Sequence, residues 1–250
     1  MCIEGDVKNP SQSGILKGVC KGKCWLSDDK TLGVTYSYAV GGCGVFGKIE
    51  SDESAKEFFV KVFNNLKALD IHEFEFSTED AMLQEQLLYL FQNRKIEHEL
   101  EYSYEIYENT NAEIAVPDGY RVELVTEQTL HKGYINEGML TNRLEECWIS
   151  LDDFCEKSLS FIAVRDNEIV GIIFGSGRYE KYITIDIEVL EEHRKRGVAK
   201  ALTSAFVKRC IECDLIPHWD CVESNTGSIR LAESIGFEKI KKRPFYWFDI

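Results

Sequence analysis

The chain has 250 residues, 44% apolar and 12% aromatic, enough for a packed core and unlike a disordered or low-complexity chain. No run of about 18 apolar residues occurs, and Met1 to Pro10 carries Glu4 and Asp6 without an apolar stretch, so neither a membrane span nor a secretory leader is expected and the cytoplasm is the expected compartment. A net charge of −14 argues against general nucleic-acid binding, although residues 194–243 reverse the balance with 11 basic and 6 acidic groups, a local excess that suits a small polyanion.

The first twenty residues show no periodicity and read as poorly ordered or as a short strand. Cys24 to Ser27 and Leu32 to Val40 read as two strands joined by a turn at Ser27 to Lys30, and Gly41, Gly42, Gly44 and Gly47 break the pattern. Ser51 or Ser54 opens a helix whose Phe58, Phe59, Val62, Phe63, Leu66 and Leu69 recur at helical spacing. Glu73 to Phe76 is a short strand, Ser77 with Asp80 opens a second helix, and Leu100 to Ile106 alternates as a half-exposed strand. Asn109 to Gly119, ending in Pro-Asp-Gly, is the best linker candidate.

A fresh run starts with the strand Tyr120 to Val125, followed by a helical pattern over Glu127 to Leu144 that is broken near Gly133 and Gly138. Phe161 to Val164 and Ile169 to Gly175 form a hairpin, and Tyr182 to Val189 is a further strand. Gly197 to Cys213 reads as a helix, Ile216 to Val222 as a strand, Thr226 to Ile235 as a helix, and Phe237 to Phe248 as a closing strand or pair. This order predicts a mixed sheet with helices on both faces. The half before the linker repeats the second part of that order, either as an unrelated α/β unit or through duplication.

Nine cysteines, an odd number without an export signal, read as reduced thiols. Cys210 and Cys213 lie inside a helical pattern without a second pair, and Cys20, Cys24 and Cys43 match no zinc spacing, so no metal is expected.

The sharpest local signal is Val189 through Ala199, where a strand ends, a turn carries Arg194 and Arg196, and a helix begins at Gly197. Free N–H groups at a helix start, with the positive end of its dipole, make an anion site, and Gly197 and Ala199 keep side chains out of the way. The same residues would also serve as a solvated basic turn with a packing glycine.

The segment R-K-R-G-V-A resembles the R/Q-x-x-G-x-G/A pyrophosphate loop of the GNAT superfamily of acyltransferases, with Val189 where those proteins carry the Val of V-x-P. Downstream, Asn225 and Ser228 (N-x-x-S) and Leu231 to Phe237 (L-A-E-S-I-G-F) are similar to the matching segment, and with Pro217 to Cys221 the stretch looks most like the zwittermicin-resistance-type subgroup. The specific match covers residues 182–237, and the element order extends it back to about Tyr120. The resemblance implies an α+β fold, a GNAT-type mixed central sheet flanked by helices over residues 118–250. Residues 1–115 would form a second, smaller α/β domain, either unrelated or a degenerate GNAT-like half.

The resemblance also implies acetyl-CoA as co-substrate. Pantetheine would run beside Tyr182 to Val189, and the pyrophosphate would meet Arg194, Arg196, Gly197, Val198 and Ala199, while Asn225 and Ser228 flank the pantetheine arm. Asn225 would equally serve as a plain helix cap. Two positions depart from the pattern: Glu191 follows Leu190 where a proline is usual, and Ala232 stands where many members have a tyrosine acid for the leaving thiolate.

On Tyr182 to Val189, Thr184, Asp186 and Glu188 alternate with isoleucines. A covered interior strand is ordinarily apolar on both faces. Either that face meets solvent or basic groups such as Lys181, or Asp186 or Glu188 serves as general base or amine anchor, Asp186 first because it lies deeper in the strand. Asp220 beside Trp219 reads equally as a loop-binding carboxylate beside a core aromatic. The leading reading is an N-acetyltransferase acting on a small-molecule amine, with no nucleic-acid or membrane partner. The acidic surface favours cationic acceptors. The rival from another class is a non-catalytic acyl-CoA-binding regulatory module. Nucleotide binding without CoA is weaker, because the loop lacks the Lys-Ser/Thr pair of a P-loop.

Overall fold

A computed structural model describes residues 9–108 and 114–250 of the chain. Its first element, helix α1 (Pro10–Leu16), corrects the reading of the N-terminal stretch. The Asn9 side chain caps it, accepting from the Gln12 N–H at 3.2 Å, and Pro10 occupies the first turn, where its missing N–H costs nothing. Pro10 through Ile15 are all buried, the polar ones included, so the helix has no solvent face and no apolar stripe to read.

Strands β1 (Gly22–Leu26) and β2 (Leu32–Ser37) form the expected hairpin, and β3 (Cys43–Gly47) adds a strand where the glycines read as a break. Gly44 is needed inside that strand because a Cβ there would lie 2.9 Å from the Gln12 side chain of α1. Helix α2 (Asp52–Lys67) is capped by Ser51 and α3 (Ala81–Leu90) by Asp80, with β4 (Glu73–Ser77) between them and β5 (Glu97–Glu105) following. Much of the linker candidate, residues 109–113, lies outside the described residues.

After β6 (Arg121–Leu124), the helical pattern resolves into a 3-10 turn at Thr129–His131 and helix α4 (Gly138–Cys147), and a separate helix α5 (Leu151–Lys157) follows. Strands β7 (Ser160–Arg165) and β8 (Glu168–Tyr179) pair through a turn in which Asp166 and Asn167 take positive φ. Then come β9 (Tyr182–Val189), α6 (Val198–Glu212), β10 (Ile216–Val222), α7 (Thr226–Ile235) and β11 (Glu238–Asp249), the last a single long strand.

All strands join one eleven-stranded mixed sheet in the order β1-β2-β3-β4-β11-β5-β10-β9-β8-β7-β6. The order runs outward from the antiparallel β11–β5 pair. On each side it meets one antiparallel pairing, then one parallel pairing, then further antiparallel pairings, two toward β1 and three toward β6. Each half of the chain places its last strand beside the other half's strands: β11 sits between β4 and β5, and β5 between β11 and β10. The break at Pro117 therefore marks a change in the chain's course and does not divide the sheet.

Helices cover both faces, as the alternation along the strands requires. Ile162, Val164, Ile172 and Phe174 pack under α4 and α5, whereas Ala163, Val170, Ile173 and Ile183 pack under α6. A phenylalanine-rich cluster joins α2 (Phe58, Phe59, Phe63) to β4 (Phe74, Phe76) and to Tyr246 and Phe248 of β11. Among the described residues no helix is long and apolar enough to cross a membrane.

Candidate functional site

Strands β9 and β10 are parallel neighbours that pair at three positions only, Tyr182 with Ile216, Ile183 with Pro217 and Thr184 with His218. Beyond Thr184 and His218 they part, β9 continuing along β8 to Val189 and β10 along β5 to Val222. The gap between them is walled on the α6–α7 face by Ile185 and Ile187, which are only partly buried, and by Trp219 and Cys221. It opens toward the loop that links β9 to α6.

That loop makes a 3-10 turn over Glu191–His193, takes positive φ at Lys195, and enters α6 through Gly197 at φ 86°. Only glycine holds that left-handed geometry without a steric penalty. The first N–H groups of α6 have no carbonyl one turn earlier to bond to. No side chain caps them and no acidic residue sits in the first turn. Arg194 Nε donates to Val189 O at 3.0 Å and Arg196 Nε to Glu192 O at 3.1 Å, so both exposed guanidinium groups are tethered beside the helix start. Val189 and Val198 turn their side chains into the core, leaving the backbone as their contribution.

The equivalent helix start in the N-terminal half is closed. Ser51 caps α2, accepting from the Ser54 N–H at 3.5 Å, and Asp52 and Glu53 occupy the first turn, where they already satisfy the helix dipole. Of the two, only the start of α6 is chemically open to a diphosphate.

Asn225 does cap α7, accepting from the Ser228 N–H at 3.1 Å, and the Ser228 hydroxyl accepts from the indole N–H of Trp219 at 2.8 Å. Trp219 lies edge-on to Phe237, with ring centroids 5.4 Å apart. Ala232, one turn beyond Ser228, is fully buried.

On the opposite face of β9, Asp186 is ion-paired with Arg143 of α4, and not with Lys181. The guanidinium is held by three partners: Asp186, Glu146 at 2.7 Å, and the Phe174 ring, 5.7 Å from its centroid. Burial disfavours the charge on Arg143, but the Asp186 carboxylate outweighs it and raises its pKa. Glu188 is exposed. Asp186 thus stands half-buried with a fixed cation beside it, and Glu188 stands in solvent.

Deeper on the same face lies a cluster the sequence showed only in part. His218 is buried, with Nδ1 3.0 Å from Glu105 Oε1 and Nε2 3.2 Å from Asp220 Oδ1. With a carboxylate on each ring nitrogen, both nitrogens must donate, which makes the ring an imidazolium. Burial works against that charge, yet the two carboxylates prevail and hold the His218 pKa at about 9. Asp220 also accepts from Ser103 Oγ and, at 2.9 Å, from Asn9 Nδ2, and burial is outweighed by His218 and Arg243, which hold its pKa well below the usual range. Arg243 pairs with Glu101 and, at 3.1 Å, with Glu79, which also meets Lys241. Burial and the nearby Asp220 raise Glu101 to about 7. The alternation in Pro217 to Cys221 put His218 and Asp220 on one face. Their partners come from β5, β11 and the N-terminal segment, which no local pattern could supply. Among the described residues no group of side chains is arranged to hold a metal ion.

A family model described as GNAT acetyltransferase matches residues 3–246 of the chain. An uncharacterized N-acetyltransferase, YdfB of Bacillus subtilis (strain 168), is 34% identical over 107 residues, a match that covers 41% of this chain and 40% of that protein. The crystal structure of a GCN5-related N-acetyltransferase-like protein from Streptococcus suis 89/1591 superposes with a TM-score of 0.65 at 15% identity, covering 93% of this chain and 90% of the other. A GCN5-related N-acetyltransferase from Kribbella flavida gives a TM-score of 0.60 at 11% identity, covering 95% and 93%. At these identities the two structures speak for a shared fold.

Proposed function

The chain belongs to the GNAT acetyltransferase family, and on that premise we propose that it transfers the acetyl group of acetyl-CoA to the amine of a small-molecule acceptor. The observation that carries the reading is the uncapped, acid-free start of α6 at the open end of the parted β9 and β10. A diphosphate there would meet the N–H groups around Gly197, Val198 and Ala199, with Arg194 and Arg196 adding charge. The unpaired edge of β9 from Ile185 to Val189 would run beside the pantetheine arm, with Asn225 and Ser228 on its other flank. We read the N-terminal half as a second copy of the same unit with a closed phosphate site, kept because it lends β5 and α1 to the first.

Acetyl-CoA supplies an activated acyl group as a thioester. The amine must attack as the free base, yet an alkylamine has pKa of about 10 and is mostly protonated at neutral pH. Asp186 is our first choice to take that proton, directly or through water, because Arg143 holds its half-buried carboxylate on β9 just beyond the last β9–β10 pairing. Glu188, two residues nearer the loop and exposed, is the second. The C–N bond forms as the C–S bond breaks, and the ammonium proton passes to the carboxylate.

Two measurements test the reading. A thermal-shift comparison should show stabilisation by CoA and not by ATP at equal concentration. Thiol release from acetyl-CoA should depend on added amine across a panel of small amines. Stabilisation without any turnover would favour an acyl-CoA-binding module, and stabilisation by ATP alone would remove CoA from the account.

A further inference from the structure

At the end of the sheet remote from the loop at Gly197, the turn after β6, helix α5 and the last turn of α6 enclose a cavity of about 550 Å³, in the range of small-molecule sites. The 15 residues of α6, about 22 Å of helix, separate it from the candidate phosphate site. Val125, Phe154, Leu159 and Leu215 give it an apolar lining, and Leu124 and Leu151 leave apolar surface exposed in the same cavity.

The charged residues around this lining fall into two poles. Glu127, after β6, and Asp152, in α5, both lie close enough to Cys155 to add to the rise that burial gives its thiol pKa. Arg178, at the end of β8, and Arg209, in α6, line the cavity together with Cys213. Arg178 also stands near Cys210, one turn before the end of α6, where it opposes the larger rise that burial gives that thiol. Two carbonyls hold the Arg178 guanidinium, Nε donating to Glu180 O at 3.1 Å and Nη1 to Lys157 O at 3.0 Å. Of its five N–H groups three remain, and its charge is uncompensated. Among the described residues no carboxylate pairs with Arg178, no cation pairs with Glu127 or Asp152, and no ion pair bridges the two poles. Opposite charges left apart across an apolar lining fit a ligand that carries both.

We propose that this cavity binds a zwitterion with an apolar body, of the class of free apolar amino acids and their dipeptides. Its carboxylate meets the free N–H groups of Arg178, its ammonium meets Glu127 and Asp152, and its side chain covers the leucines. The site shares no residue with the acetyl-CoA reading and stands or falls without it.

The poles carry their own reporters. Cys155 and Cys213 are exposed thiols in the cavity, and Cys24, exposed on β1, lies outside it. Alkylation by iodoacetamide is followed at each of the three by peptide mass spectrometry, with phenylalanine and phenylalanyl-leucine as probes. A probe at about ten times its Kd should slow Cys155 and Cys213 about tenfold, because only the empty fraction reacts, and leave Cys24 unchanged. The probe that protects at the lower concentration shows whether an amino acid or a dipeptide spans the poles. Phenylalaninamide, which lacks the carboxylate, and 3-phenylpropionate, which lacks the ammonium, should each need about tenfold more than phenylalanine. Arg178→Gln and Glu127→Gln should raise the protecting concentration by a similar factor, with circular dichroism unchanged. If Arg178→Gln loses the fold with the contact it makes to α5, Glu127→Gln and the analogue comparison decide. Protection by either single-charge analogue equal to that by phenylalanine overturns the zwitterion. If neither probe slows Cys155 and Cys213 more than Cys24, the site itself is overturned.

Discussion

His218 Nδ1 lies 3.0 Å from Glu105 Oε1, a contact between β10 of one half of the chain and β5 of the other. His218 is also the last residue of β10 to pair with β9 before the two strands part. The same imidazolium therefore ties the two halves together and stands at the apex of the candidate site.

The pH dependence of stability follows from this pair. The His218 pKa, about 9 in the folded chain, is raised above an unfolded value near 6.5. Its contribution is complete below about pH 6.5 and is lost as pH rises through about 9. Glu101, raised to about 7, acts in the same direction over a lower range. Thermal unfolding should show Tm falling between pH 6.5 and 9, and His218→Gln should be less stable at pH 6.5 with most of that slope gone. A flat wild-type profile over this window would contradict an imidazolium at His218.

Arg196→Glu should weaken CoA binding by about tenfold or more, the loss of one charge-assisted phosphate contact. Gly197→Trp should abolish the CoA-induced thermal shift, because a side chain at φ 86° both strains the loop and blocks close approach to the N–H groups. Circular dichroism of both variants without ligand checks that the fold is kept. Unchanged CoA affinity in Gly197→Trp would move the site elsewhere.

Asp186→Asn should lower kcat by about 10²–10⁴, the usual cost of losing a general base, with CoA binding retained. Glu188→Gln should have the smaller effect if Asp186 is the base and the larger one if the roles are exchanged. Arg143→Met should reduce activity by releasing the carboxylate it holds. Steady-state kinetics beside CoA titrations separates these cases, and full activity in both acid variants would remove this strand from the chemistry.

Residues 118–250 expressed alone should not fold stably. Without β5, strands β10 and β11 lose the neighbour that lies between them, and each presents an unpaired edge. Co-expression of 1–117 with 118–250 should restore a soluble complex with a cooperative thermal transition. A soluble 118–250 fragment with a sharp melt would show that the exchanged strands are dispensable.

The sequence by itself determined the elements that carry a period or a cap. Tyr182 to Val189, Ile216 to Val222 and Thr226 to Ile235 are found at the bounds the alternation and the caps predicted, and the helices after Ser51 and Asp80 begin where those side chains cap them. The start of α6 at Gly197 with Arg194 and Arg196 beside it was legible for the same reason, since a glycine opening a helix among basic residues is a local pattern. Tertiary structure alone decided the rest. Helix α1 is buried from Pro10 to Ile15 and so has no face to advertise, and β3 carries Gly44 because Gln12 of α1 presses on it. Arg143 reaches Asp186 across 43 residues, and Asn9 reaches Asp220 across 211. The exchange of β5 and β11 depends on which strand edges meet, and a strand's own residues encode which face it buries but not which neighbour it pairs with.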